Sequence, residues 1–350
     1  MRGSKFFKHF IIVIFIISAL TACGSSSSDS ENDTDVVMGH IEFLSEEIGT
    51  RVAGSEAEAE AYDYVQGEFE AMGFEVLHQE FQYEDEDNAV ITSGNVIVVK
   101  PGISQKEIIV GAHFDSVEVG KGASDNASGV GLMLIVAERL VNSSVPYTIR
   151  FIGFGAEETG FQGADYYVSQ MTDEDIRNTI GMINLDTVVG GDKIYAYGGS
   201  DEEGWLRDQT MLIAQNMGIN LETNPGLNPD YPAGTTGDWS DHAPFKNAGI
   251  HYLYLESTNW EIGDQDGYTQ TVDHGEIWHT ENDTLEFFEA EYPGRIEAHL
   301  DAFTRILPEL LLTLEVPEAV LASAENVERR RSFPVHRYMR RDGQPFNQHE

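Results

Sequence analysis

The chain has 350 residues, 41% hydrophobic and 10% aromatic, enough to bury one large core or two modest ones and too apolar for a disordered chain. Its formal net charge is −39. Nine of the 21 basic residues but only two of the 60 acids lie in residues 1–23 and 329–350, so 24–328 carries −46. Such a body repels nucleic acid, which excludes a phosphate-backbone partner. It suits solubility in salty surroundings, or attraction of metals and amine-bearing molecules.

At the amino terminus, Lys5 and Lys8 precede an apolar block, residues 11–20, which ends in Leu20-Thr21-Ala22-Cys23-Gly24. A basic start, a short apolar stretch and small residues before a cut site describe a secretory signal over 1–22. The block is too short for a comfortable membrane span. Cys23, directly after Leu-Thr-Ala, is similar to the cysteine of a bacterial lipobox, which becomes lipidated and N-terminal. The expectation is therefore an exported protein of the bacterial cell envelope, attached to the membrane as a lipoprotein through Cys23. No other cysteine exists, so neither an intrachain disulfide nor a thiolate metal cluster is available. Residues 23–35 read as a lipidated Cys and a flexible Ser/Asp-rich tether.

From Val36 the pattern becomes periodic. VVMGHIEFLSEEIG has helical spacing, and EAEAEAYDYVQGEFEAMG reads as an amphipathic helix closed by Gly73. FEVLHQEFQYE alternates like a strand, and NVIVVK and EIIVGA follow as strands. Residues 128–141 form an apolar, buried helix in which Gly129 and Gly131 allow close approach to the sheet. TIRFIGFG (148–155) is a strand leading to a helix that ends near Met171. IGMINL (180–185) is a strand, WLRDQTMLIAQNMG a helix, IHYLYLE (250–256) a strand, and 289–314 a closing helix containing Pro308. Alternating strands and helices predict an α/β fold, a mostly parallel, mixed and twisted sheet sandwiched between helices, as one domain over 36–315. Residues 316–350 read as a poorly patterned basic tail.

Four positions rich in acid or imidazole follow apolar strands or the loops just after them: His113, Asp125, Glu157-Glu158 and Asp186. His279 lies in a polar loop before the closing helix. In an open α/β sheet the carboxyl ends of the strands converge on one crevice, so ligands far apart in sequence meet there. Two His and three carboxylates without a thiolate suit two divalent ions sharing a bridging carboxylate. Zinc fits best, with cobalt or manganese as substitutes. Asp115, two residues beyond His113, is placed to accept the other ring N–H of that imidazole.

The chain resembles metallopeptidase family 28, the di-zinc aminopeptidases, over roughly residues 36–315. The resemblance lies in Arg51-Val52-Ala53-Gly54-Ser55, Gly111-Ala112-His113-Phe114-Asp115-Ser116, Gly122-Ala123-Ser124-Asp125-Asn126-Ala127-Ser128-Gly129 and Ala156-Glu157-Glu158-Thr159-Gly160. It continues in Asn184-Leu185-Asp186, Ser240-Asp241-His242-Ala243-Pro244-Phe245 and His279 with Asp283-Thr284. It implies a zinc-aminopeptidase-like fold acting on peptide or protein N-termini, with Asp125 bridging two zinc ions. His113 and Asp186 would complete one ion's shell and Glu158 and His279 the other's. Glu157 would be the general base and Asp115 the partner orienting His113.

The chain departs from the family at Trp278, where well-studied members carry a tyrosine that stabilises the tetrahedral intermediate, and at Trp239, where some carry an arginine. Tyr252 or Tyr254 would serve instead only if geometry allows. Within the family, Leu255-Glu256-Ser257-Thr258-Asn259-Trp260 and Asp266-Gly267-Tyr268 are similar to the alkaline phosphatase isozyme conversion type of aminopeptidase, which trims N-terminal basic residues. That resemblance makes Glu256, at a strand end, a candidate partner for a substrate cation. Two other readings share the fold: glutaminyl cyclase chemistry, usually at one zinc, and a non-catalytic binding domain, against which the full ligand set argues.

Overall fold

The computed structural model describes residues 26–321, apart from 86 and 319. The expected leader, Cys23 and residues 322–350 of the basic tail lie outside the described residues. Seven strands make one sheet: β1 (Leu77–Glu84), β2 (Val90–Lys100), β3 (Ser104–His113), β4 (Tyr147–Phe154), β5 (Thr179–Leu185), β6 (Lys193–Gly198) and β7 (Tyr252–Thr258). Their spatial order is β1-β2-β4-β3-β5-β7-β6. The inner four, β4-β3-β5-β7, are parallel; β2 at one side and β6 at the other run antiparallel to them, and β1 pairs antiparallel with β2. The mixed sheet expected from the sequence is present. Every residue of β5 and β7 is buried, which is why those strands read as near-continuous apolar runs and not as alternating ones.

Nine α-helices surround the sheet among the described residues: α1 (Ser26–Glu42), α2 (Glu56–Ala71), α3 (Gly129–Leu140), α4 (Gln162–Gln170), α5 (Asp173–Asn178), α6 (Trp205–Met217), α7 (His242–Asn247), α8 (Leu285–Glu291) and α9 (Arg295–Thr313). Side chains alternate across a strand, and the core divides accordingly. Ile108 and Val110 of β3, Phe151 of β4 and Ile183 of β5 pack with α1, α2, α3 and α9. Ile109, Ile152, Phe154 and Met182 turn to the opposite face, against Tyr167 and Val168 of α4 and Phe245 of α7. The β3-α3-β4 connection thus uses one face and the β4-α4-β5 connection the other. Right-handed crossovers require this, because β4 and β5 lie on opposite sides of β3. The two connections part at the carboxyl end of β3 and open a crevice there.

Three features differ from the sequence-based expectation. α1 begins at Ser26, inside the stretch expected to be a tether, and Asp33 and Thr34 are buried; Asp33 pairs with Arg139 of α3, a partner that local composition does not reveal. The closing helix is two, α8 and α9, separated by Gly294 with φ +81°; Pro308 does lie within α9. β6, α5 and α7, each six residues long, are too short for their periodicity to stand out. No helix among the described residues is long and apolar enough to cross a membrane.

The two glycines of α3 do different work. A Cβ on Gly131 would meet Val37 of α1 at 3.0 Å, whereas one on Gly129 would overlap the Leu185 carbonyl of β5 and the Asn126 amide. Only Gly129 faces the sheet end. Gly129→Ala is therefore expected to destabilise the protein by about 1–3 kcal/mol through overpacking, read as a lower denaturant midpoint at unchanged slope. Gly131→Ala is expected to cost less.

Candidate metal centre

The crevice gathers side chains from strand ends and loops. His113 is the last residue of β3, Asp186 follows β5, Glu157 and Glu158 lie just beyond β4, and Asp125 sits in the turn before α3. His279 comes from the long connection between β7 and α8. Two groups, His113-Asp125-Asp186 and Asp125-Glu158-His279, each bring their ligand atoms within 4.8 Å of one another. Asp125 belongs to both. Its Oδ1 lies 3.2 Å from His113 Nε2 and its Oδ2 lies 3.2 Å from His279 Nε2. Asp186 Oδ1 is 3.4 Å from the first imidazole and Glu158 Oε2 2.8 Å from the second. A third group, His113-Glu157-Glu158, reuses two of these residues and adds Glu157, whose Oε2 stands 4.0 Å from His113 Nε2. The five expected ligands and the expected base converge here.

Buried polar groups hold them in place. Asp115 lies with Oδ1 3.5 Å from His113 Nδ1 and accepts the Glu157 and Glu158 N–H groups at 3.0 and 3.1 Å. One carboxylate thereby ties the end of β3 to the turn after β4. Asp283 accepts the Ser124 and Asp125 N–H groups at 2.7 and 3.1 Å. Asn126 donates to the Leu185 carbonyl at 2.8 Å and accepts from the Gly129 N–H at 2.9 Å. Arg51, fully buried, donates from Nε to Phe114 O at 2.7 Å, from Nη1 to Lys121 O at 2.9 Å and from Nη2 to Gly122 O at 2.9 Å. It pins the His113 strand end against the loop leading to Asp125. The holding roles of Arg51 and Asp283 carry no local sequence signal; both residues lie in motifs that the resemblance singled out without a role.

The electrostatics are those of a desolvated acid cluster. Burial pushes Glu157 well above the usual carboxylate range; His113 opposes this while Glu158, Asp241 and Asp186 reinforce it. Burial also raises Glu158 and Asp283 to about 7. Asp125 goes the other way: burial opposes its ionisation, but hydrogen bonds from His113 and His279 hold it below its ordinary value. Ala156, Thr187 and His279 have φ of +56°, +49° and +58°. Left-handed backbone at non-glycine residues beside Glu157, beside Asp186 and at His279 is the kind of strain that clusters at functional sites.

The donor set fits a metal pair. It supplies imidazole nitrogen and carboxylate oxygen, no thiolate, and one carboxylate with an oxygen toward each imidazole. Tyr254 donates its hydroxyl to Asp186 Oδ2 at 3.2 Å, and Tyr252 donates to Gly198 O at 2.9 Å. In this arrangement both tyrosines are committed elsewhere than to a reacting carbonyl. Glu256 is buried. Trp260 Nε1 donates to Tyr197 OH at 2.5 Å, and Tyr197 in turn hydrogen-bonds Glu256. The other oxygen of Glu256 has no hydrogen-bond partner among the described residues. Burial raises its carboxyl to about 8, with Tyr197 opposing and Asp186 and Asp125 adding to the rise.

Such a donor set, with a spare carboxylate in the crevice of a mixed α/β sheet, defines a metal-dependent hydrolase. Residues 95–304 match the model of Peptidase family M28. The chain is 34% identical over 296 residues to the alkaline phosphatase isozyme conversion protein of Escherichia coli (strain K12), a match covering 75% of this chain and 86% of that one. The chain belongs to peptidase family M28. Its fold is shared with a zinc aminopeptidase from Bacillus subtilis, at TM-score 0.65, 19% identity, and coverage of 81% of this chain and 96% of that one. It is also shared with Porphyromonas gingivalis glutaminyl cyclase, at TM-score 0.61, 19% identity and coverage of 81% and 97%.

Among the described residues, the Asp283 carboxylate hydrogen-bonds the backbone of Asp125 and of no other proposed ligand. Its replacement by Ala is expected to weaken metal affinity by roughly 10- to 100-fold, measured by competition with a chelator of known affinity. An unchanged affinity would mean that the Asp125 turn keeps its shape without Asp283.

Proposed function

We propose that the chain is an exported, lipid-anchored aminopeptidase that hydrolyses the N-terminal residue from peptides at a two-zinc centre. The observation that carries this reading is the carboxylate of Asp125, with one oxygen toward His113 and the other toward His279, beside a sixth group, Glu157, that neither Asp125-containing cluster needs. His113, Asp125 and Asp186 would hold one zinc, and Asp125, Glu158 and His279 the other. Zinc bound there would lower the pKa of a water and polarise the scissile carbonyl. The protein's own part is proton handling and orientation. Glu157 takes the proton of the attacking water and returns it to the leaving amine, and its burial suits a carboxylate that must carry that proton. Asp115 fixes both His113 and the backbone of Glu157.

Glu256 is proposed to receive a cation of the substrate's first residue. Its second oxygen is buried and has no hydrogen-bond partner among the described residues, and a buried carboxylate without a counter-charge favours a positive group beside it. Export and anchoring through Cys23 rest on the leader's pattern and would place the enzyme in the bacterial cell envelope, where peptide N-termini are its partners.

The test is a panel of aminoacyl-p-nitroanilides and Gln-peptides assayed with the wild type, Glu157→Gln and Glu256→Gln, with bound metal measured for each. Free amino acid is the expected product, and pyroglutamate alone would establish the cyclase reading instead. Glu157→Gln is expected to lower kcat by about 10²- to 10⁴-fold with its metal retained; wild-type activity would remove Glu157 from its role. Lys and Arg substrates are expected to surpass Leu, and Glu256→Gln to cost them about tenfold or more in kcat/KM. Equal rates on Lys, Arg and Leu would discard the cationic pocket.

A further inference from the structure

The segment from Arg51 to Glu58 supplies no atom to the ligand set, yet it touches both arms of the centre. Arg51 holds the arm that carries His113. At the other end of the segment, Glu58 lies in the first turn of α2, buried. Ser55 caps this helix by accepting the Glu58 N–H at 3.1 Å. In an ordinary capping box the acid three residues on reaches back to the N–H of the capping residue. Here the Ser55 N–H donates to Val52 O at 3.0 Å instead, and Glu58 Oε2 takes the Gly54 N–H at 2.5 Å. That leaves Glu58 Oε1 to turn inward. It accepts the Ser93 hydroxyl of β2 at 2.7 Å and the Ala156 N–H at 3.0 Å.

The Ala156 contact matters because Ala156 leads directly into the base and its neighbouring ligand. Ala156, Glu157 and Glu158 form the turn between β4 and α4, and their three successive N–H groups point at buried carboxylates. Glu58 takes the first, and Asp115 takes the second and third. A buried N–H without an acceptor is costly, so the two acids define where this stretch of backbone lies. The constraint falls at a residue that needs one, since Ala156 sits at φ +56°, which L side chains rarely adopt. Packing closes the remaining freedom, because a Cβ on Gly155 would run into Ser93 Oγ and lie 3.1 Å from Glu58 Oε1. Glu58 forms no ion pair among the described residues. A helix cap alone needs one carboxylate oxygen near the protein surface; this acid is buried and uses its second oxygen on the catalytic turn.

We propose that Glu58 is a positioning residue for Glu157, fixing from α2, through the Ala156 N–H, the turn that carries the base and its neighbouring ligand. Asp115 sets the same turn from the end of β3, so the turn is gripped from two elements that are independent in sequence. The proposal rests on the reading of Glu157 as the general base. A base displaced by a fraction of an ångström keeps its substrate affinity and loses rate.

The experiment uses the metal-loaded full chain as wild type, Glu58→Ala, Glu58→Gln and Ser93→Ala. It measures kcat and KM on the best aminoacyl-p-nitroanilide, bound metal, and hydrogen–deuterium exchange of the amides at 156–158. Glu58→Ala is expected to lose at least about tenfold in kcat, with KM within about twofold and bound metal unchanged. Its amides at 156–158 are expected to exchange at least about tenfold faster, while those of β3 hold their rate. Glu58→Gln keeps one carbonyl oxygen for the Ala156 N–H and is expected to recover to within about threefold of the wild-type kcat. Ser93→Ala removes only the hydroxyl that aligns Oε1 and covers the case in which Glu58→Ala does not fold. A smaller loss of kcat with faster exchange at 156–158 is expected for it. Wild-type kcat per metal-loaded molecule and wild-type exchange at 156–158 in these variants, even with a lowered melting temperature, would overturn the proposal. A wild type without peptidase activity would instead remove the proposed function, while the exchange of 156–158 still decides what Glu58 holds.

Discussion

One carboxylate stands between two imidazoles, and much of the surrounding structure serves to keep it there. Asp125 is buried, and its two oxygens lie at the same distance from His113 and from His279. The three residues come from a loop, a strand end and a second loop more than 150 positions away, so no local interaction sets that spacing. Asp283 holds the Asp125 backbone, Asn126 ties the same turn to β5, and Arg51 braces the loop against the end of β3. Each brace is a buried polar group whose partners are backbone atoms. Such networks specify one geometry when fully satisfied and become expensive when a member is lost. The acids gathered around Asp125 also repel one another, so a bound cation would both complete the site and stabilise the fold that makes it.

The sheet explains why this spacing is available at all. Strands β4, β3, β5 and β7 run parallel and deliver their carboxyl ends to one edge, and the two crossovers beside β3 leave on opposite faces. The crevice between them is a consequence of chain handedness, present before any catalytic residue is placed. Gly129 then lets α3 approach the end of β5, which brings the Asp125 turn close to Asp186. The same architecture serves aminopeptidases and a glutaminyl cyclase, so the fold constrains where chemistry happens and leaves its kind to the side chains.

Legibility in the sequence depends on which forces act locally. His113 and Asp186 were readable because buried parallel strands are apolar until they end, and an imidazole or carboxylate at that boundary stands out. The proposed division of ligands between two ions is not in the spacing; it comes from resemblance to a peptidase family. The bracing residues were not legible in their roles. Arg51 works on residues 63 to 71 positions away and Glu58 on one 98 positions away, and no periodicity encodes a contact of that range. Local composition also misled. An Asp/Ser-rich stretch read as a tether, although its later residues are the first turns of α1 and Asp33 finds Arg139 across the fold. Tyr254 is a candidate for the oxyanion only if geometry allows, and its hydroxyl is bonded to Asp186, 68 positions away.

The claim that Asp125 is shared is tested most directly by counting metal ions per chain in the wild type, Asp186→Ala and Asp125→Ala, each purified in zinc and measured by elemental mass spectrometry. The account predicts two ions in the wild type, one in Asp186→Ala, and loss of both in Asp125→Ala. A wild type that saturates with one ion, or an Asp125→Ala variant that keeps two, would contradict it.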